Sequence, residues 1–372
     1  MLKPKEIDIV ETIENTKLVK IATFPVLKLT QLTFTRFVAA LAVIIYHFKS
    51  TTFPFNIPTV NHFVNYFNVF VSYFFVLSGF ILIVSGSYKL NFKKFYLNRF
   101  ARIYPMHLFA LLLMLFIFVI SKTPKTIITY DKFFLSFFLI QSWFEQYALT
   151  CNFPAWSLSA EVFFYLIFPP VIYLFRNFSL RKDLRITVGI WVSLQIFLMW
   201  IYYSGKSFNI YSPFFHLSTF LIGIAAGKFF IAKQSFIKLN LNKLVFIFIF
   251  SFSTIVMLVL FKNAFFKLFY ANGLLAPFFV LVIYITALSR NKFFRLFKNR
   301  KLQYLGAISY GVYILHIPLS IIFFSIMDKL FKSSSSIYFY IYLVLLIIVS
   351  AILHELIEKP SSKFIKNIIR IK

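Results

Sequence analysis

Residues 36–47 read RFVAALAVIIYH, an Arg and a His enclosing ten apolar or small residues. They sit inside an apolar run over 33–50, long enough to cross a bilayer as a helix. An ionisable side chain at that depth is costly and marks a functional position by default. Eleven residues separate Arg36 from His47, about three helical turns, so the two share a face about 16 Å apart along the axis. A helix marked in this way can line a path across the membrane. The plainer reading has Arg36 snorkelling to the interface and His47 hydrogen-bonded in the core.

The rest of the chain agrees with a membrane setting. It is 60% hydrophobic with a mean hydropathy of +0.83, which no soluble domain matches. Apolar runs recur at 67–87, 103–121, 157–175, 186–203, 212–231, 244–261, 271–288, 304–326 and 337–357, giving ten spans. A shorter run at 133–144 reads as re-entrant or interfacial. The net charge of +28 fits cytoplasmic loops better than nucleic acid, because the basic residues lie between apolar runs. With ten spans and a cytoplasmic N-terminus, 29 of the 39 Lys and Arg fall in inner segments and 9 in outer ones. A span at 133–144 would put basic loops on both sides. The expectation is an all-α polytopic membrane protein with both termini cytoplasmic. It comprises an N-terminal segment over 1–30, a membrane domain over 31–362 and a basic tail over 363–372. Glu6, Asp8, Glu11 and Glu14 make the first segment unlike a signal peptide. The lone Cys151 excludes an internal disulfide and a cysteine-cluster metal site.

Three further clusters carry possible chemistry. Arg99 and Arg102, at i,i+3, share a helix face at the predicted cytoplasmic mouth of the third span. Two guanidiniums there suit a phosphate or pyrophosphate, or serve simply as a positive-inside anchor. Trp156-Ser157-Leu-Ser-Ala-Glu161 follows Pro154, with Ser157 a candidate N-cap. Glu161 lies at the edge of the apolar zone, wants a partner, and has His47 at similar predicted depth. Ser309, Tyr313 and His316 form a polar stripe that lines either a cavity or a helix contact. Other matches are weak. Gly205-Lys206-Ser207 lacks the upstream glycine of a P-loop, His354-Glu355-Leu-Ile-Glu358 lacks the second zinc histidine, and no nucleophile elbow occurs. His62, His107 and His216 have no neighbours in sequence that suggest ligation.

Taken in order, these pieces resemble the acyltransferase-3 family of integral membrane acyltransferases over about 32–362. They are the Arg36…His47 helix, Phe74-Phe75-Val-Leu-Ser78-Gly79-Phe80, Arg99-x-x-Arg102 before Tyr104-Pro105, and Trp156-Ser157-Leu158…Glu161…Tyr165. Ser309-Tyr310…Tyr313…His316 and Glu358-Lys-Pro360 complete the set. The resemblance implies transfer of an acyl group, usually acetyl, from acetyl-CoA on the cytoplasmic side to a carbohydrate hydroxyl, in a bacterial cytoplasmic membrane. It implies no metal and no nucleic acid; the partners are membrane lipid, the donor and the acceptor. Transfer is completed in the membrane domain or handed to a separate extracytoplasmic transferase. His47 and Glu161 are then the expected catalytic pair, with Glu161 orienting the imidazole. Arg36, Arg99 and Arg102 hold the donor. Trp156, Ser157, Ser78, Tyr313 and His316 support substrate or structure. A transporter or flippase for a lipid-linked glycan is the alternative, with a glycan polymerase or ligase behind it. The missing inverted repeat counts against transport.

Overall fold

The computed structural model describes residues 26–89, 91–121, 129–206, 208–260, 272–288, 296–331 and 335–370. Most of the expected N-terminal segment lies outside them. The helices are α1 Gln31–Phe48, α2 Phe70–Val84, α3 Phe92–Ile120, α4 Trp156–Phe175 and α5 Leu180–Tyr203. Then come α6 Pro213–Ala232, α7 Leu241–Leu260, α8 Ala276–Leu288, α9 Arg300–Phe331 and α10 Ser336–Leu353. A π-helical turn, His354–Glu358, leads from α10 into α11, Lys359–Arg370. Eight of the described helical segments are long and apolar enough to cross a membrane, and α7 and α8 contribute the shorter apolar helices at the remaining predicted spans. The architecture is that of an all-α polytopic membrane protein.

Lipid is as apolar as Leu, so helices in a bilayer associate by close packing more than by hydrophobic burial. Glycine does this work here. A Cβ on Gly79 of α2 would lie 2.3 Å from the Phe220 carbonyl oxygen of α6, and one on Gly223 would lie 2.1 Å from that of Val76. Gly227 meets Phe80 and Ile83 in the same way one turn on. The helix α6 is accordingly the most enclosed span, while α5 is largely exposed to the surroundings. At the other main contact, a Cβ on Gly306 of α9 would lie 2.1 Å from the Thr33 carbonyl oxygen of α1.

These contacts fix the relative direction of the helices. Val76 faces Gly223 while Ile83 faces Gly227, so α2 and α6 run parallel. Thr33 faces Gly306 while Phe48 packs on Phe324, so α1 and α9 are parallel too. Gln31 Nε2 donates to the Ala287 carbonyl at 2.6 Å, joining the start of α1 to the end of α8. Parallel α2 and α6 require an odd number of crossings between them, and the ten-span reading has three, α3, α4 and α5. The segment at 133–144 begins as an eight-residue helix, Tyr130–Phe137, followed by a 3-10 turn at Gln141–Trp143. Eight residues reach about 12 Å, too short to span.

The helix carrying the arginine pair starts earlier than its apolar run. Asn91 caps α3, its side chain accepting from Lys94 N at 2.8 Å, so Arg99 and Arg102 lie two to three turns inside a continuous helix. A buried ion pair, Lys228 Nζ to Asp183 Oδ2 at 2.7 Å, ties the end of α6 to the start of α5.

Replacing Gly223 by Val would force α6 off the α2 backbone, at a cost of about 1–3 kcal/mol or more. Gly189 has nothing within 4 Å of its added Cβ. Recovery of a monodisperse peak after detergent extraction should fall sharply for Gly223→Val and stay at the wild-type level for Gly189→Ala.

Candidate active site

Two cavities meet beside α1. The smaller, about 60 Å³, is lined by residues that include Arg36, Ser78, Arg102, Glu161 and Ser309. The larger, about 670 Å³, includes His47, Phe153, Trp156, Lys206, Tyr211 and His216 in its wall. Val71 and Tyr313 line both, so these two side chains stand between the chambers. The Arg36-to-His47 spacing thus places one residue in each.

The smaller chamber is electrostatically crowded. Glu161 Oε1 accepts from Ser78 Oγ at 3.0 Å and from the Tyr165 hydroxyl one turn along α4. Its charge acts on Arg36, Arg99 and Arg102 together. Arg102 also feels Glu358, which the π-helical turn carries to α3 and which His354 Nδ1 holds at 2.7 Å. Arg99 lies 5.8 Å from the Phe95 ring and 5.5 Å from that of Tyr165, with its Nε buried and unpartnered. Three guanidiniums therefore face two carboxylates. A surplus positive charge away from water is expensive unless an anion shares the site. Phosphate oxygens, which Arg grips in bidentate fashion, meet that need.

The larger chamber holds a histidine pair. His47 Nδ1 lies 2.8 Å from His316 Nε2, with the rings stacked at 5.0 Å. His316 is fully buried, and its Nδ1 lies 2.5 Å from the Tyr313 carbonyl oxygen. A carbonyl only accepts, so that Nδ1 carries the proton. The Nε2 of a neutral His316 is then an acceptor, and His47 Nδ1 must donate to it. The lone pair of His47 is left on Nε2. The Tyr342 hydroxyl donates to the His316 carbonyl and braces this turn of α9 from α10. Phe153 packs edge-on against the His47 ring at 5.0 Å.

Neighbouring hydroxyls are engaged within the protein. Ser157 Oγ and the Tyr313 hydroxyl lie 2.9 Å apart and both reach the Pro154 carbonyl, at 3.0 and 3.4 Å. Ser309 Oγ donates to the Gly306 carbonyl at 2.8 Å. Trp156 lies 5.2 Å from both the Tyr211 and His216 rings.

Two expectations change. Glu161 is not the partner of His47; it sits more than one turn into α4, turned toward the arginines, while His47 near the end of α1 meets His316. Nor does Ser157 cap α4, whose N-cap is Ala155; Ser157 is already helical and bonds backward to Pro154. His216, dismissed from sequence, stands in the wall of the larger chamber. Its Nε2 donates to the Ile210 carbonyl at 3.0 Å and its buried Nδ1 has no partner. Only its place just after Pro213 at the head of a helix hinted at an interior position. Among the described residues, no three His, Cys, Asp or Glu side chains are grouped to hold a metal ion.

Comparison with known proteins places the chain. The acyltransferase-domain model of the acyltransferase-3 family matches residues 29–355, and the chain belongs to that family. Over 93 residues it is 35% identical to a Streptomyces mycarofaciens protein named acyltransferase MdmB, a match covering 24% of each chain. The matched region thus spans about a quarter of that relative. No solved structure matches.

The charge surplus predicts that inorganic pyrophosphate raises the thermal transition of the detergent-purified protein, and that Arg102→Ala removes most of the rise. No rise in the wild type would mean that the cations are balanced within the fold.

Proposed function

We propose that this protein is a membrane O-acyltransferase that moves an acyl group, most simply acetyl from acetyl-CoA, to a hydroxyl of a cell-envelope carbohydrate. The observation that carries this reading is the His47–His316 contact, which leaves the Nε2 lone pair of His47 free in the wide aromatic chamber, across Val71 and Tyr313 from a cationic one. A general base needs a fixed lone pair, and an acyl-CoA needs cations for its phosphates.

The geometry supports a direct transfer. Arg99 and Arg102, with Arg36 deeper in, hold the donor phosphates, and Glu161 keeps the three guanidiniums oriented and partly balanced. The acceptor lies in the larger chamber against Trp156 and Tyr211, whose ring faces suit a sugar. Its hydroxyl oxygen attacks the thioester carbonyl carbon while His47 Nε2 takes the proton. The C–S bond then breaks, and the departing thiolate recovers that proton from His47. Between these events His47 is a cation whose Nδ1–H points at the neutral Nε2 of His316, which stabilises it. A base positioned in this way is worth about 10²- to 10⁴-fold in rate. In this reading the donor enters from the cytoplasmic side and the acceptor from the outer side of a bacterial membrane, which the Lys and Arg excess of the expected inner segments supports. The 670 Å³ chamber favours completing the transfer inside this domain rather than passing the acyl group to a separate transferase.

The test is kinetic, with product identified by NMR of the acylated glycan. His47→Ala should lose at least 100-fold in kcat. His316→Ala should lower kcat by about tenfold with KM nearly constant, because it removes the tautomer constraint and no substrate contact. Full activity in His47→Ala, with normal membrane insertion, would sink the mechanism.

A further inference from the structure

A third recess, about 190 Å³, opens where the end of α2, the start of α3 and the end of α4 converge. Aromatic rings dominate it. Phe95 and Phe168 form the floor, stacked at 5.2 Å and both buried. Phe92 and Tyr173 form an exposed rim, 64% and 62% accessible. The guanidinium of Arg176, also in the wall, lies over the Tyr173 ring at 4.0 Å.

The recess is joined to the arginine cluster. Phe95 belongs to its floor and also carries Arg99 on its ring. The molecule therefore presents in sequence an aromatic recess, Arg99 beside it, a narrow chamber whose wall carries Arg102 and Arg36, the His47–His316 pair and a wide chamber. That is the order of parts along an acyl-CoA meeting its acceptor: a purine, phosphates, a thin pantetheine arm, a thioester and a hydroxyl. We infer that the recess bounded by Phe92, Phe95, Phe168 and Tyr173 receives the nucleotide base of the acyl donor, with Arg176 facing its outlying phosphate. Base-on-aromatic stacking tolerates many geometries and contributes enough to matter at an exposed rim. Arg176 adds both charge and a planar stacking face. This subsite rests on the acyl-CoA reading above and specifies which end of the donor binds where.

The experiment compares two donors in the intact membrane protein: acetyl-CoA, and S-acetyl-pantetheine, which has the same thioester and arm but no nucleotide. Wild type should use acetyl-CoA with the lower KM. The double substitution Phe92→Ala, Tyr173→Ala should raise the KM for acetyl-CoA about tenfold. It should leave kcat/KM for S-acetyl-pantetheine unchanged, which also reports an intact fold. Arg176→Ala should show the same selectivity, with its effect reduced by added salt. An unchanged KM for acetyl-CoA, or equal losses with both donors, would overturn the subsite and return these rings to the role of interfacial anchors. A wild type that prefers neither donor would overturn the subsite and leave acyl transfer standing. One that accepts acyl groups from neither removes both readings.

Discussion

Backbone meets backbone where Gly306 lies against Thr33, and the arrangement of the chemistry depends on that contact. With no side chain between them, α9 comes down onto α1 in parallel, and residues of equal depth on the two helices are brought level. Arg36 then shares a chamber with Ser309, and eleven residues on His47 reaches His316. The Gly79–Gly223 approach does the same for α2 and α6, carrying Ser78 to Glu161 on one side and His216 to the larger chamber on the other. In a solvent of hydrocarbon there is little penalty for helices drifting apart, so close glycine contacts fix register where a soluble protein would rely on burial.

The charged and titratable groups around the site act as sets. Glu161 would be a liability alone, and the arginines more so. With Glu358 they form a cluster one negative charge short, which an incoming anion would complete. The histidine pair is a set of another kind. Its protons are placed by an acceptor that cannot donate, the Tyr313 carbonyl, two bonds away from the nitrogen that matters. A backbone carbonyl is a steady tautomer constraint because it carries no titratable proton of its own.

The span pattern was legible in the sequence because membrane helices announce themselves by length, and loop charge announces their direction. It was enough to rule out 133–144 as a crossing, which the parallel packing of α2 and α6 independently requires. The identities of the polar residues were legible for the same reason: in an apolar run they are conspicuous. Their partners were not. Depth alone suggested that Glu161 and His47 belong together, but depth is one coordinate and contact needs three. Which face of α4 looks toward α1 is decided by glycine contacts among other helices, and no spacing rule carries that information. His216 was missed for a related cause, since a histidine flanked by Phe and Leu reads as core until the neighbouring Trp156 and Tyr211 are seen.

The wall shared by the two chambers has a consequence for the cell that makes this protein. Val71 and Tyr313 keep the guanidinium-lined chamber and the aromatic chamber from merging into one continuous channel. A membrane that stores energy as an ion gradient tolerates no standing pore. In the proposed reaction an acyl group passes this septum while its proton is lent and returned at the same imidazole, so no net charge changes compartment. On that proposal, chemistry on the outer surface draws on a cytoplasmic donor without discharging the membrane between them.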